Sequence, residues 1–158
     1  MADVRKKRVI TAALCGSWPT RDMNPAVPYT PEEIAEEAYR CWQAGAAIVH
    51  IHVRGPDGTP SIRYELYEET IQRIRAHKDC DVCLNITSSG TVDGVDEDRI
   101  DPIRRLLPEL ASYDAGTLNW QNRTIFENHP RFLEKLGHAL QEVNVKPEIE
   151  VFDAGMIY

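Results

Sequence analysis

The sequence predicts an α/β fold, a (β/α)8 TIM barrel to which residues 1–158 contribute the N-terminal five strands or so as part of a single domain. Two observations lead to this prediction. Strand-like and helix-like segments alternate along the chain, as they do in α/β folds with parallel sheets. Polar residues also follow every predicted strand, and barrels of this type build their active sites at such strand ends.

The first strand-helix-strand unit has clear boundaries. Residues 9–14 form a short apolar run with β-branched members, and a proline-rich loop follows it. Thr30 can cap a helix, Pro31 suits its first turn, and Glu33 can complete a capping box. Residues 46–53 are nearly all apolar up to His50, as expected for a strand that is covered on both faces.

The remainder of the chain continues the alternation. In order, the pattern predicts a helix over 64–76, a strand over 81–86, a short helix near 103–107, a strand near 110–113, a helix over 130–143 and a strand over 148–152. The segment 116–119 is predicted as a tight turn. Parallel strands joined by helices imply right-handed crossovers.

Two architectures fit this pattern, an open doubly wound sheet and a barrel. No Gly-x-Gly-x-x-Gly follows the first strand and no Gly-x-x-x-x-Gly-Lys occurs, so the usual signals of a nucleotide-binding open sheet are missing. The polar strand ends favour the barrel. A barrel needs eight strands, so we expect this chain to be truncated. Its open sheet edges lead us to expect a homo-oligomer.

Composition and charge exclude several function classes. The net charge of −7 argues against a nucleic-acid-binding surface and against binding to an anionic membrane. No apolar stretch approaches the roughly 20 residues that span a bilayer. The start, Met1–Arg8, is basic, but the apolar run after it is too short for a signal peptide. A cytoplasmic location is therefore expected.

Cys80 and Cys83 form a Cys-x-x-Cys, which can indicate zinc or redox chemistry. Residues three apart in a strand point to opposite faces, and no second Cys or His pair lies at zinc-ribbon spacing. We therefore interpret both as core thiols and expect no disulfide.

The most informative motif is His50-Ile51-His52, at the end of the second strand. Residues two apart in a strand share a face, so both imidazoles are predicted to point the same way. Two converging imidazoles suit a metal ion, with zinc the first candidate. The alternative is a pair of partly buried histidines that bond to neighbouring backbone. A catalytic zinc usually has three protein ligands, and no obvious third ligand occurs in this chain.

Other strand ends carry further candidates. Thr87, Ser88, Ser89 and Gly90 offer hydroxyls and backbone N–H groups that suit a carboxylate or an oxyanion, although an ordinary polar turn is an equal alternative. Ser112 is a candidate ligand or a packing residue. Glu150 and Glu148 share a face, and Glu150 is nearer the carboxyl end and so is the better candidate for the active face, whereas Glu148 is expected to have a deeper structural partner. Arg54 could balance an anionic substrate or be a solvated loop residue.

The chain also resembles the β-keto acid cleavage enzymes over essentially all of its length. The resemblance rests on the segments 10–16, 24–33, 45–54, 115–120 and 147–152, of which the His-x-His-x-Arg and Pro-x-Glu-x-Glu stretches are the most specific together. It implies a zinc-dependent TIM barrel that exchanges acyl groups between a β-keto acid and acetyl-CoA, giving acetoacetate and a new acyl-CoA.

The resemblance also implies roles for individual residues. His50 and His52 match the metal histidines, Thr87, Gly90 and Ser112 match substrate-binding positions, and Glu150 matches an acidic position that we take as catalytic. The family's zinc-binding glutamate and its Arg/Asp pair belong to a C-terminal half, so this chain alone is expected to be inactive.

The chain departs from the pattern of the 3-keto-5-aminohexanoate enzymes at position 18. There they carry a glutamate for the substrate's amino group, whereas this chain has Trp18. This departure predicts an uncharged or apolar keto acid. The alternatives are a metal-dependent TIM-barrel hydrolase, which usually carries its His-x-His on the first strand, and a non-catalytic fragment.

Overall fold

The computed structural model describes residues 7–158, so most of the segment on which the signal-peptide prediction rests lies outside the described residues. The helices are α1 (Pro31–Gln43), α2 (Tyr64–Ala76), α3 (Asp96–Leu106) and α4 (Pro130–Glu142). The strands are β1 (Thr11–Ala13), β2 (Ile48–Ile51), β3 (Val53–Arg54), β4 (Pro60–Ser61), β5 (Cys83–Ile86), β6 (Leu110–Asp114), β7 (Leu118–Trp120), β8 (Thr124–Phe126) and β9 (Lys146–Glu150). No helix within residues 7–158 is both long and apolar enough to cross a membrane.

Five strands form one parallel sheet in the order β1-β2-β5-β6-β9, which is also their order along the chain. A doubly wound sheet reverses its strand order at a switch point, and this sheet does not. The structure is therefore an α/β fold with a curled parallel sheet, a half-barrel. This confirms the predicted alternation and decides against the open doubly wound alternative.

The hydrophobic core lies on the convex face of the sheet, where the helices pack. Val49, Ile51, Ile86 and Ala111 are fully buried there. The helices contribute the apolar stripes that meet them: Ile34 and Ala38 of α1, Tyr67 and Ile74 of α2, Ile100 and Ile103 of α3, and Phe132, Leu136 and Leu140 of α4. Since every crossover helix covers this one face, the concave face is left open for a site.

The start of α1 shows the predicted capping box. The Thr30 hydroxyl accepts a hydrogen bond from the Glu33 backbone N–H at 3.2 Å, and the Glu33 carboxylate accepts one from the Thr30 N–H at 3.0 Å. Pro31 occupies the first turn, where its missing N–H costs nothing. The helix ends before Gly45, whose φ of +105° suits only glycine.

Several boundaries differ from the prediction. The predicted strand over 46–53 is divided: β2 ends at Ile51, and Val53–Arg54 pairs instead with β4 as a short antiparallel ribbon. Helix α3 begins at Asp96 rather than near 103. Its acidic first turn complements the helix dipole, and the helix continues through Pro102 although an interior proline removes one backbone hydrogen bond. The predicted turn over 116–119 is wrong, because residues 118–126 form the antiparallel hairpin β7–β8.

Cys15, Cys41, Cys80 and Cys83 are free thiols in the part of the chain that the structure describes. Cys80 is buried in the core and Cys83 is half-buried on β5. The described structure therefore gives neither of them a partner for redox or zinc chemistry.

Candidate active site

A cavity of about 580 Å³ opens at the carboxyl ends of the parallel strands. Each strand of the parallel sheet, or the loop that directly follows it, contributes to its wall. The residues that line it include Gly16, Ser17, Trp18, Pro19, His50, His52, Pro60, Thr87, Ser89, Gly90, Asp93, Asp114, Trp120, Thr124, Phe126, Glu150 and Phe152. The predicted site residues His50, His52, Thr87, Gly90 and Glu150 thus share one cavity, whereas Ser112 does not line it.

His50 and His52 lie side by side, as their spacing predicts. Their ring centroids are 5.0 Å apart and their planes make an angle of 64°. Burial lowers the pKa of His50 to about 4 and that of His52 to about 3, and the charges of His50 and Arg54 add to the second shift. Both rings are therefore neutral at neutral pH, and the buried Nδ1 of His52 has no hydrogen-bond partner. Neutral imidazole nitrogens are the form that binds a metal.

The pair fits two positions of a metal site, but the described residues do not complete one. Within residues 7–158, no group of three or more His, Cys, Asp or Glu side chains could enclose a metal ion.

Asn85 connects the histidine strand with β9. It is the register neighbour of His50, and its side chain partly offsets the lowering of the His50 pKa by burial. Its Nδ2 donates a short hydrogen bond to the Glu148 carboxylate. Glu148 therefore has the deeper structural partner that the sequence analysis expected.

The loop after β5 is held by its own hydroxyls. Thr87 Oγ1 lies 2.9 Å from Ser89 Oγ and accepts a hydrogen bond from the Ser89 N–H at 3.0 Å. Ser112 is fully buried beneath this loop, where its Oγ accepts a hydrogen bond from the Ser88 N–H at 3.0 Å. The structure therefore places Ser112 under the loop rather than at the cavity surface.

Gly90 lies close to β4 and its following residue. A Cβ at this position would lie 2.6 Å from Ile62 Cγ2 and 2.7 Å from the Ser61 carbonyl oxygen, distances that side-chain carbons do not adopt. Glycine thus lets the loop pass against β4 while its backbone borders the cavity.

Two carboxyl groups form the wall opposite the histidines. Asp114 and Glu150 are register neighbours on β6 and β9. Burial, together with the charges of Asp114 and Glu148, raises the pKa of Glu150 to about 7. Burial also raises the pKa of Asp114, against the lowering effect of the Ser89 hydroxyl and the Arg99 guanidinium.

One of the two interpretations offered for Arg54 is wrong. Its side chain is only 2% exposed, so it is not a solvated loop residue, and it lies outside the lining of the cavity. Its role in balancing an anionic substrate stays a prediction. Its guanidinium donates to the carbonyl oxygens of Gly58 at 2.9 Å, Gly16 at 2.8 Å, Pro19 at 2.9 Å and Cys15 at 3.2 Å. Arg54 therefore fixes the loop after β1 against the β3–β4 ribbon.

Sequence reasoning missed the aromatic outer wall of the cavity and Arg99, the residue that anchors it. Trp120 and Phe126 reach the cavity from the β7–β8 hairpin, whose alternating pattern around the Gln121-Asn122 turn was the available signal. The buried Arg99 donates to the Ser88 carbonyl at 2.7 Å and to Asn128 Oδ1 at 2.6 Å, so α3 joins the β5 loop to the hairpin base. No local sequence pattern around Arg99 indicates this role.

The fold and site together define an α/β half-barrel whose concave cavity has polar groups at the strand ends and aromatic side chains around them. The family model of the beta-keto acid cleavage enzymes matches residues 7–158. The chain therefore belongs to the β-keto acid cleavage enzyme family, as the resemblance indicated, and characterised members of this family are β-keto acid cleavage enzymes and acetyl-CoA transferases.

Two relatives illustrate the family. A 3-keto-5-aminohexanoate cleavage enzyme of Fusobacterium nucleatum is 47% identical over 152 residues, which cover 96% of this chain and 55% of the relative. A 3-dehydrocarnitine:acetyl-CoA trimethylamine transferase of Rhizobium meliloti is 36% identical over 94% of this chain and 56% of the relative. The chain thus spans about half the length of these curated relatives.

The fold has a counterpart among solved structures. The apo structure of ObcA superposes with a TM-score of 0.77 at 25% identity, and the match covers 84% of this chain and 32% of that one. The half-barrel is thus similar to about one third of that chain.

Proposed function

We propose that this chain is the N-terminal part of a zinc-dependent β-keto acid cleavage enzyme, which exchanges acyl groups between a β-keto acid and acetyl-CoA to give acetoacetate and an acyl-CoA. The observation that carries the proposal is the pair of neutral, neighbouring imidazoles that line a cavity at the carboxyl ends of the parallel strands. The names of the relatives support the reaction class.

The proposal includes a complete (β/α)8 barrel that further strands would close. On the convex face, Val49, Ile51, Ile86 and Ala111 of the inner strands are fully buried, but Ile149 of β9 is 64% exposed. Val151, just beyond β9, is 44% exposed. A following strand and helix would cover both, and the share of each relative that this chain spans agrees with such a continuation. The chain by itself is then expected to lack the activity.

In this proposal His50 and His52 are two of three zinc ligands, and the third comes from the part that completes the barrel. A bound zinc ion would supply Lewis-acid polarisation of the keto oxygen. Thr87, Ser89 and the backbone at Gly90 would hold the substrate carboxylate by hydrogen bonds, and Ser112 would keep that loop in place from below. Glu150 would hold a proton at its carboxyl group near neutral pH.

The acyl part of the substrate is proposed to be uncharged or apolar. Trp18 lines the cavity where the 3-keto-5-aminohexanoate enzymes carry a glutamate, and Trp120, Phe126 and Phe152 add further aromatic surface. Aromatic walls favour an apolar group because contact between them removes the apolar surfaces of both from water.

Zinc binding to the metal-free chain, measured by titration calorimetry, tests the metal site. We expect His50→Ala and His52→Ala each to weaken binding by more than about tenfold, since even residues that only orient a metal ligand contribute about 10- to 100-fold. The exposed His138 on α4 gives the matched control, because His138→Ala removes an imidazole far from the site. Equal zinc binding by all three variants would refute the metal site.

The reaction class is tested in a separate assay, on the longer polypeptide that contains the complete barrel. Cleavage of β-keto acids should require acetyl-CoA and release acetoacetate. Cleavage by water alone would instead indicate the hydrolase alternative. No cleavage by a zinc-loaded, folded complete barrel would leave only the non-catalytic alternative.

A further inference from the structure

We propose that Asp114 is a positioning residue for Glu150: the two carboxyl groups share a single proton in the cavity wall, and Asp114 keeps that proton on Glu150. The use of this pair in acyl exchange rests on the proposed function, whereas the pair itself is a property of the folded chain.

The geometry brings the two groups together. Asp114 and Glu150 are direct register neighbours on adjacent parallel strands, whose backbones lie roughly 4.8 Å apart, and both side chains line the same cavity. Asp114 is only 4% exposed, and its buried Oδ2 has no hydrogen-bond partner. Leaving a buried carboxylate oxygen unpaired is costly, and a protonated neighbouring carboxyl group is a donor that can satisfy it.

The surroundings of the two carboxyl groups differ, and the difference decides which one is protonated. On the Asp114 side, burial raises the pKa, but the Ser89 hydroxyl and the Arg99 guanidinium oppose that rise by stabilising the carboxylate. On the Glu150 side, the nearest charges are the carboxylates of Asp114 and Glu148, so the neutral acid is favoured. The raised pKa of Glu150, about 7, agrees with this assignment.

The other groups that face the pair do not reverse the assignment. Across the cavity, His50 and His52 are neutral at neutral pH. Asp93, in the loop after β5, adds another carboxylate to the cavity wall. Glu148, on the same strand as Glu150, accepts the Asn85 hydrogen bond. Arg99 is thus the cation on the Asp114 side, and its own hydrogen bonds go to Ser88, Glu127 and Asn128.

A carboxyl group that exchanges its proton near neutral pH suits general acid-base catalysis. In the proposed reaction it could take up or return a proton as the enolate of the β-keto acid forms and decays. Asp114 would stay ionised throughout and would contact Glu150 rather than the substrate.

The test is a carboxyl-carbon NMR titration of the metal-free 158-residue chain, with the Glu150 signal assigned by its loss in Glu150→Gln. In the wild type we expect Glu150 to titrate near 7. In Asp114→Asn we expect its midpoint to fall toward the ordinary glutamate value of 4.5, because the repelling charge is gone. Asp93→Asn is the matched control: it removes a carboxylate from the same cavity but not from the pair, and should leave the midpoint unchanged.

A second series tests the positioning role without removing either carboxyl group. Ser89→Ala should lower the Glu150 midpoint and raise that of Asp114, because the proton moves toward the carboxylate that has lost its donor. Ser89→Thr keeps a hydroxyl and should restore both midpoints. This series decides the question even if Asp114→Asn fails to fold.

The proposal is overturned if Glu150 titrates at its ordinary value in the wild type, or if neither Asp114→Asn nor Ser89→Ala moves it. Because the titration uses neither zinc nor substrate, a positive result together with absent acyl exchange would reject the proposed function and retain the pair. Acyl exchange together with a Glu150 that titrates at its ordinary value would instead reject the pair and retain the proposed function.

Discussion

The two faces of the parallel sheet are built from the same strands but from opposite kinds of residue. On the convex face, Val49, Ile51, Ile86 and Ala111 are fully buried against the helices. On the concave face, the corresponding positions carry His50, Asn85, Ser112, Asp114, Glu148 and Glu150. Side chains alternate along a strand, so Val49 and Ile51 of β2 pack in the core, whereas His50 between them faces the cavity.

This contrast explains why the concave residues have unusual protonation behaviour. The convex face excludes water by packing, and the side chains of Val49, Ile51, Ile86 and Ala111 have no polar atoms to satisfy. The concave face places ionisable groups against that same dry layer, so burial is the largest cause of the shifted pKa of His50, His52, Asp114 and Glu150. The packed core behind the sheet thus shields one side of these groups from water and holds the strands that carry them in register.

The largest expected effect comes from the convex face. Ile51→Ala should lower the free energy of unfolding by about 2–5 kcal/mol, because it removes a fully buried side chain and leaves a cavity in the core. Urea denaturation monitored by circular dichroism measures this loss.

The matched variant on the concave face is His52→Ala, one residue away. Its ring borders the open cavity, so truncation enlarges an existing space and should cost clearly less than Ile51→Ala. A comparable loss for both variants would mean that the concave histidines are part of the stabilising core, and the comparison between the faces would fail.

An intermediate effect is expected for Glu150 and depends on pH. Its pKa in the folded chain, about 7, lies above the ordinary value of 4.5, so the folded state binds more protons than the unfolded state between these values. Stability from this group is complete below about pH 4.5 and is lost as the pH rises through about 7. Glu150→Gln should therefore become progressively more stable than the wild type over that interval.

Urea denaturation of both proteins at several pH values from below 4.5 to above 7 checks this prediction. The difference between the two curves reports on Glu150 together with its neighbour Asp114, because the titrating groups outside this pair are common to both proteins. A difference that does not change with pH, or that changes in the opposite direction, would contradict the raised pKa.

Local signals were sufficient to predict most of the fold. The helix over 64–76 was predicted at its observed bounds, because apolar periodicity is a property of neighbouring residues. The shared direction of His50 and His52 followed from the two-residue period of a strand. Family resemblance added the identity of the reaction class, which no spacing in the chain could supply.

What the sequence could not predict depends on contacts between distant residues. Arg54 is placed by carbonyl groups that lie up to 39 positions away in the chain, so its burial has no local signal. Arg99 joins Ser88, which lies 11 positions before it, to Asn128, which lies 29 positions after it, so its role has no local signal either. Ser112 was expected as a possible ligand because it ends a strand, but the loop over Thr87–Gly90 folds across it.

The smallest expected effect is at a site that belongs to neither face, and it provides a baseline for the comparison. Thr30→Ala removes the side-chain acceptor of the α1 capping box and should cost about 1 kcal/mol of unfolding free energy, because the Glu33 N–H loses its partner. Thr30→Ser retains the hydroxyl and should remain close to the wild type in the same urea denaturation. A loss for Thr30→Ala as large as that for Ile51→Ala would show that α1 is held mainly by its cap. The buried contacts of its apolar stripe with the convex face would then contribute less than the packing indicates.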